Sequence, residues 1–232
     1  MKVAIMQPYL FPYIGYFQLI DSVDKFVFYD DVSYIKQGWI NRNCLCVGDE
    51  RRYFTVPVTG ARTETPINEV MVVPGGGRKV LRSIEQNYRK APYFDSFFPV
   101  VEKVLGMETC SIAAMSQESV VSCMQYVGLD RAVAVSSESY PESRGIGRVE
   151  RLFSILRAEK ADTYVNAPGG RELYNSVEFK NAGFDLYFIE PTLPEYPRPA
   201  PFHSGLSIID VLMHVSPNEG LSMISQYFLK NE

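Results

Sequence analysis

Gln7 and Tyr9 place a side-chain amide and a phenol directly after the apolar run Val3-Ala4-Ile5-Met6, and Pro8 and Pro12 fix the shape of the segment that carries them. Together they can orient a polar substrate. Asp30 and Asp31 close a second apolar run, Phe26-Val27-Phe28-Tyr29. A carboxylate there can bind a hydroxyl, an amine or a metal, or take a proton as general base. It can equally cap a helix or turn. Lys36, Trp39 and Arg42 follow at once, flanked by Asn41 and Asn43. An arginine fork matches a carboxylate or phosphate, and Trp39, the sole tryptophan, can stack a base or a sugar. The same residues also read as a surface arginine beside a core tryptophan.

A later group is Asn166-Ala167-Pro168-Gly169-Gly170, between a short strand pattern and a helix start, where backbone N–H groups can hold an anion. Pro74-Gly75-Gly76-Gly77-Arg78-Lys79 lacks the spacing of a nucleotide-binding P-loop and reads as a connector. His203 and His214 are the two histidines. His203 is a candidate general base, but no nucleophile elbow accompanies it. His214 falls where a helix ends and reads as a cap or a packing residue. Asp210 interrupts an apolar helix face, as a buried structural partner or a site carboxylate.

The elements that would position these groups follow from periodicity. Lys2 to Met6 and Lys25 to Tyr29 are nearly continuous apolar strands, as in a sheet buried on both faces. Ile14 to Ile20 is a helix between them. Cys44 to Val47 and Arg52 to Pro57 form a hairpin around Gly48-Asp49, and Ile67 to Val73 is a further strand. Helical spacing then runs through 78–89, 93–105 and 111–127, with Gly128 as a C-cap. Strands are expected at Ala132 to Val135, Thr163 to Asn166 and Asp185 to Ile189, with helices at Val149 to Leu156 and Val177 to Asn181. Pro191 to Pro201 is an extended crossing, and Ser207 to Val215 and Leu221 to Phe228 are closing helices. Open α/β sheets bind ligands outside the carboxyl ends of their strands. The expected fold is therefore α/β, a mainly parallel Rossmann-like sheet with a β-rich extension and a helical insertion at about 78–128, in one domain over 1–232.

The net charge of −4 argues against general nucleic-acid binding. No stretch approaches the roughly 20 apolar residues of a membrane span, and the amino terminus lacks a signal-peptide pattern. Cys44, Cys46, Cys110 and Cys123 do not complete a metal site and read as free thiols, which places the chain in the cytoplasm. No metal is expected.

Met6-Gln7-Pro8-Tyr9, Phe11 to Ile20, Phe26 to Tyr34, Lys36 and Gly38 to Asn43 together carry a resemblance to the WbqC-like family of bacterial O-antigen and surface-polysaccharide gene clusters. Ala91-Pro92-Tyr93-Phe94, Val165-Asn166-Ala167 with Gly169-Gly170, and Leu206 to Asp210 extend it over nearly the whole chain. The resemblance implies transfer of an acyl or aminoacyl group, glycyl among them, to a nucleotide-linked amino sugar. The donor would be a CoA thioester, a carrier protein or an ATP-activated acid. It raises Gln7, Asp30, Lys36, Arg42 and Asn166 above His203. Gln7, Asp30, Asp31 and Lys36 are then the expected catalytic residues. Tyr9, Tyr13, Gly15, Trp39, Asn41, Arg42, Asn43, Asn166, Gly169 and Gly170 are the expected binding residues. A homo-oligomer is compatible with this reading. A nucleotidyl- or adenylyltransferase is the alternative, since strand, proline loop, Gly15 and helix resemble that topology. Tyr13 and Tyr16 stand where its signature has histidines. A non-catalytic sugar-nucleotide-binding protein is a third reading.

Overall fold

A computed structural model describes residues 1–199 and 201–231. The sheet is built from β1 (Lys2–Met6), β2 (Lys25–Phe28), β7 (Ala132–Val135), β8 (Thr163–Asn166), β9 (Asp185–Pro191) and β10 (Tyr227–Asn231). Two small antiparallel sheets lie between β2 and β7: β3 (Arg42–Val47) with β4 (Glu50–Thr55), and β5 (Val58–Thr59) with β6 (Met71–Val72). The helices are α1 (Ile14–Asp21), α2 (Gly77–Tyr88), α3 (Phe94–Leu105), α4 (Ile112–Val127), α5 (Ser136–Ser139), α6 (Arg148–Ala158), α7 (Ser176–Asn181), α8 (Ile208–His214) and α9 (Pro217–Ile224).

The main sheet has the order β10-β9-β8-β1-β2-β7. Five strands are parallel and β10 alone runs antiparallel, against β9. Alternation along the central strands explains the layering. Val3, Ile5 and Val27 face one core, completed by Leu152, Phe153 and Leu156 of α6 and Phe179 of α7. Ala4, Phe26 and Phe28 face the other, against α1, α2, α3, α4, α8 and α9. Both faces are therefore covered, as the continuous apolar runs require. The chain leaves β1 toward β2 and β7 on one side, then returns to β8 and β9 on the other. The reversal falls between β1 and β8, which makes their carboxyl ends the switch point where α/β folds bind ligands.

Two expected elements differ. Ile67 to Val73 is a 3₁₀ turn, Ile67–Glu69, followed by the two-residue β6. Pro66 starts the turn, and the amides of Glu69 and Val70 close it on the carbonyls of Pro66 and Ile67, so extended backbone begins only at Met71. The final helix ends at Ile224, because Pro217 starts it early with a Ser216–Glu219 capping box, and Tyr227–Asn231 becomes β10. Of the Pro-rich crossing, Pro191 ends β9 and residues 192–199 form neither helix nor strand, with a bend at Pro199; Ala200 lies outside the described residues. No helix among the described residues is long and apolar enough to cross a membrane.

Candidate functional site

Two adjoining lobes open at the switch point. One, of about 720 Å³, is lined by Gln7, Tyr29, Arg148, Arg151, Asn166 and Tyr174 among others. The second, of about 520 Å³, is lined by Tyr13, Trp39, Asn43, Arg51 and Ser204 among others. Met6, Tyr9, Ala167 and Gly169 belong to both and form the waist between them. Neither lobe is lined by an aspartate or glutamate among the described residues.

The loop after β1 is pinned from several sides. Asn43 Nδ2 donates to the carbonyls of Leu10 (3.1 Å) and Phe11 (2.8 Å), and Ser207 Oγ donates to Phe11 as well. The amide of Phe11 donates to Ser119 Oγ at 2.9 Å. These contacts hold a fully buried phenylalanine at φ 41°, a left-handed conformation that costs about 1–3 kcal/mol. Tyr16 Oη donates to the Gln7 carbonyl at 2.8 Å, and the amide of Leu10 donates to the Trp39 carbonyl. Gly15 leaves room for an aromatic wall, since a Cβ there would lie 2.4 Å from the Tyr13 ring.

The loop from Ser33 to Asn41 and the β3–β4 hairpin supply the outer wall of the second lobe. The Arg42 guanidinium lies 5.9 Å from the Trp39 ring and 4.9 Å from the Tyr53 ring, and its Nε donates to the Gly38 carbonyl. Arg42 thus braces Trp39 rather than entering a lobe. Asn41 Nδ2 donates to the Val56 carbonyl and secures the same loop. Lys36 is exposed and lines neither lobe.

Asp30 and Asp31 stand behind the first lobe. Asp30 accepts from the amide and the hydroxyl of Ser137 (3.0 and 2.8 Å) at the start of α5, so its geometry is that of a cap. Ser136 Oγ lies within hydrogen-bond reach of both carboxylates. Asp31 accepts from Arg151 Nη2 at 2.8 and 2.7 Å and from Arg144 Nε at 2.8 Å. Burial pushes the Asp31 carboxyl up, but Ser136, Arg144 and Arg151 outweigh it and hold it below the usual carboxylate range. The Arg151 guanidinium also lies 4.6 Å from the Tyr29 ring.

Asn166 turns its Oδ1 to the amide of Ala167, and Gly170 packs against its Nδ2. Burial raises the phenols of Tyr9, Tyr13, Tyr29 and Tyr174, so these groups stay protonated and able to donate at neutral pH. Of the expected site residues, Gln7, Tyr9, Tyr13, Trp39, Asn43, Asn166, Gly169 and Gly170 therefore share the cleft. Asp30, Asp31, Gly15, Asn41 and Arg42 support its walls. His203 donates from Nε2 to the Asp49 carbonyl and lines neither lobe. Asp210 is wholly buried, accepting from Tyr88 Oη and Tyr196 Oη, with Arg198 Nη2 at 3.3 Å. Sequence reasoning missed Arg51, Tyr29, Arg148, Arg151 and Tyr174. Arg151 was legible only as a polar position on the helix expected over Val149 to Leu156, and Arg148 lay just before its expected start. Among the described residues, no group of three or more His, Cys, Asp or Glu could hold a metal ion.

The WbqC-like protein family is matched over residues 7–221, which takes in the lining residues of both lobes except Ile5 and Met6. The chain belongs to this family. A relative of the WbqC-like chain, the uncharacterized protein Rv1507c of Mycobacterium tuberculosis (strain ATCC 25618 / H37Rv), is 27% identical over 219 residues, covering 92% of this chain and 94% of the relative. No solved structure matches the WbqC-like chain.

Proposed function

We propose that this WbqC-like protein transfers an acyl or aminoacyl group, glycyl among the candidates, to the amino group of a nucleotide-linked sugar in O-antigen or surface-polysaccharide biosynthesis in the cytoplasm. The observation that carries this reading is the two-lobed cleft at the β1/β8 switch point, whose lobes share Met6, Tyr9, Ala167 and Gly169 at their junction. Each lobe lies in the range of roughly 300–1,000 Å³ that holds one small ligand. Two lobes meeting at a waist suit two co-substrates whose reacting ends must touch.

The first lobe takes the sugar nucleotide. Arg148 forms no ion pair among the described residues, and it opens α6, whose first N–H groups have no side-chain cap. That end of the lobe is a seat for phosphate. The acceptor amine would attack the acyl carbon at the waist. A C–N bond forms, the bond from carbon to sulfur or phosphate oxygen breaks, and the leaving group departs with the electron pair. The proton lost by the nitrogen goes to the departing atom, directly or through water. The protonated Tyr9 of the waist, with Gln7 beside it in the first lobe, would donate to the developing oxyanion. Asp31 acts through Arg151, as a positioning residue.

One observation favours a second reading, a sugar-nucleotide-binding protein without catalysis: no carboxylate or histidine lines either lobe among the described residues. Mass spectrometry of nucleotide-linked amino sugars incubated with the protein and acyl-CoA, or with ATP and glycine, separates the two. N-acylated sugar nucleotide supports transfer. Saturable binding without product leaves the binding role, and neither binding nor product removes both.

A further inference from the structure

The second lobe has its own cation. Arg51 sits on β4 opposite Cys46, lines the lobe, and forms no ion pair among the described residues. Arg148, the other unpaired arginine of the cleft, lines only the first lobe, and Arg151 is committed to Asp31. Each lobe thus carries one available guanidinium, in a chain whose net charge is −4. The walls differ as well. The second lobe brings Tyr9, Tyr13 and Trp39 together, with Trp39 37% exposed and braced by Arg42. Rings of this kind offer flat apolar area to an aromatic base, and a guanidinium fork matches phosphate.

We propose that the second lobe binds a purine nucleotide handle, the base against Trp39 and a phosphate on Arg51, and that this handle carries the transferred acyl group to the waist. The proposal rests on the transfer reading above; it narrows the donor to one bearing a nucleotide and assigns that nucleotide to the second lobe. An adenine-and-phosphate handle comes from two sources, an acyl thioester of CoA or an acyl adenylate. In the first the C–S bond breaks and the thiol leaves. In the second the carbonyl C–O bond breaks and AMP leaves. In both, the acceptor nitrogen takes the acyl carbon and gives up one proton to the leaving group.

Trp39 is the sole tryptophan and lines this lobe and not the first, so its fluorescence is the direct readout of this lobe. The experiment titrates the full chain with AMP and, separately, with CoA, following Trp39 emission, and titrates UDP by calorimetry. The expected result is saturable quenching by AMP or by CoA, the stronger of the two naming the source. Arg51→Ala should weaken that quenching at least tenfold while leaving UDP binding unchanged, and Arg148→Ala should do the reverse. Circular dichroism of both variants checks that they fold. The proposal is overturned if neither AMP nor CoA perturbs Trp39, or if both arginine variants weaken both ligands alike. Failure here with N-acylated product still formed sinks only the handle and leaves transfer standing. Trp39 quenching that needs Arg51, with no product from any donor, sinks transfer and leaves the nucleotide site.

Discussion

Arg151 Nη2 bridges both oxygens of Asp31 at 2.8 and 2.7 Å while its guanidinium packs 4.6 Å from the Tyr29 ring. Asp31 is 2% exposed at its side chain and Arg151 7%. The pair joins the end of β2 to the inner face of α6 and so fixes the back wall of the first lobe. Removing one partner of a buried pair leaves an uncompensated charge. Asp31→Asn should therefore lower stability by about 3–5 kcal/mol. The pH dependence follows from the lowered carboxyl. A depressed folded pKa gives stability that is complete above the unfolded value, roughly 3.9, and is lost as pH falls through the folded value. The gap between wild type and Asp31→Asn should be constant above about pH 5 and narrow toward pH 3. Denaturant midpoints across that range check it, and a gap equal at pH 7 and pH 3 would count against the ionised pair.

Gly169 and Gly170 are neighbours with opposite tolerance. A Cβ on Gly170 would lie 2.1 Å from Asn166 Nδ2, whereas one on Gly169 meets nothing within 4 Å. Gly170→Ala should displace the Asn166 amide, cost about 1–3 kcal/mol and weaken UDP binding in the first lobe. Gly169→Ala should leave the melting temperature unchanged. Thermal melts and calorimetry on both variants decide the matter. Equal melting temperatures for the two would show that Asn166 moves aside freely.

The sheet was legible because its central strands are apolar on both faces, and Val3, Ile5 and Val27 against Ala4, Phe26 and Phe28 show why. Tyr227–Asn231 was not, because Tyr227, Phe228 and Leu229 fit a helix face as well as an edge strand, and only pairing with β9 decides. The cleft was legible from one side. Gln7, Tyr9 and Asn166 follow strand ends, which sequence can mark. Arg51 and Arg148 enter through hairpin register and the start of α6, and no local pattern sets those directions. Asp30 and Asp31 were found as strand-end carboxylates, but their partners Ser136, Ser137, Arg144 and Arg151 lie more than a hundred residues away.

Phe11 keeps its left-handed backbone because Asn43, Ser119 and Ser207 hold its peptide groups. Asn43→Ala removes two buried donors and the acceptor for the Cys44 amide. The expected loss is roughly 2–4 kcal/mol. At about 2–4 °C per kcal/mol for a chain of this size, the melting temperature should fall by roughly 4–16 °C. Ligand-induced quenching of Trp39 should weaken too, because the amide of Leu10 bonds to the Trp39 carbonyl. An unshifted melt would mean that Phe11 relaxes without help from Asn43.

Asp210 separates a structural from a functional role for a buried carboxylate. Tyr88 on α2, Tyr196 on the Pro-rich crossing and Arg198 all converge on it, and His214 Nδ1 lies 2.8 Å from its carbonyl. Burial, then the Asp210 charge and hydrogen bond, push both phenols far above their ordinary value, so they remain donors at every working pH. None of these groups lines either lobe. Asp210→Ala orphans two phenols and a buried guanidinium, and should cost about 3–5 kcal/mol. Protein that remains folded at low temperature should still bind UDP and AMP with wild-type affinity. Calorimetry at 10 °C on Asp210→Ala, with a thermal melt alongside, tests both halves. A stable variant that had lost its ligands would return Asp210 to the site.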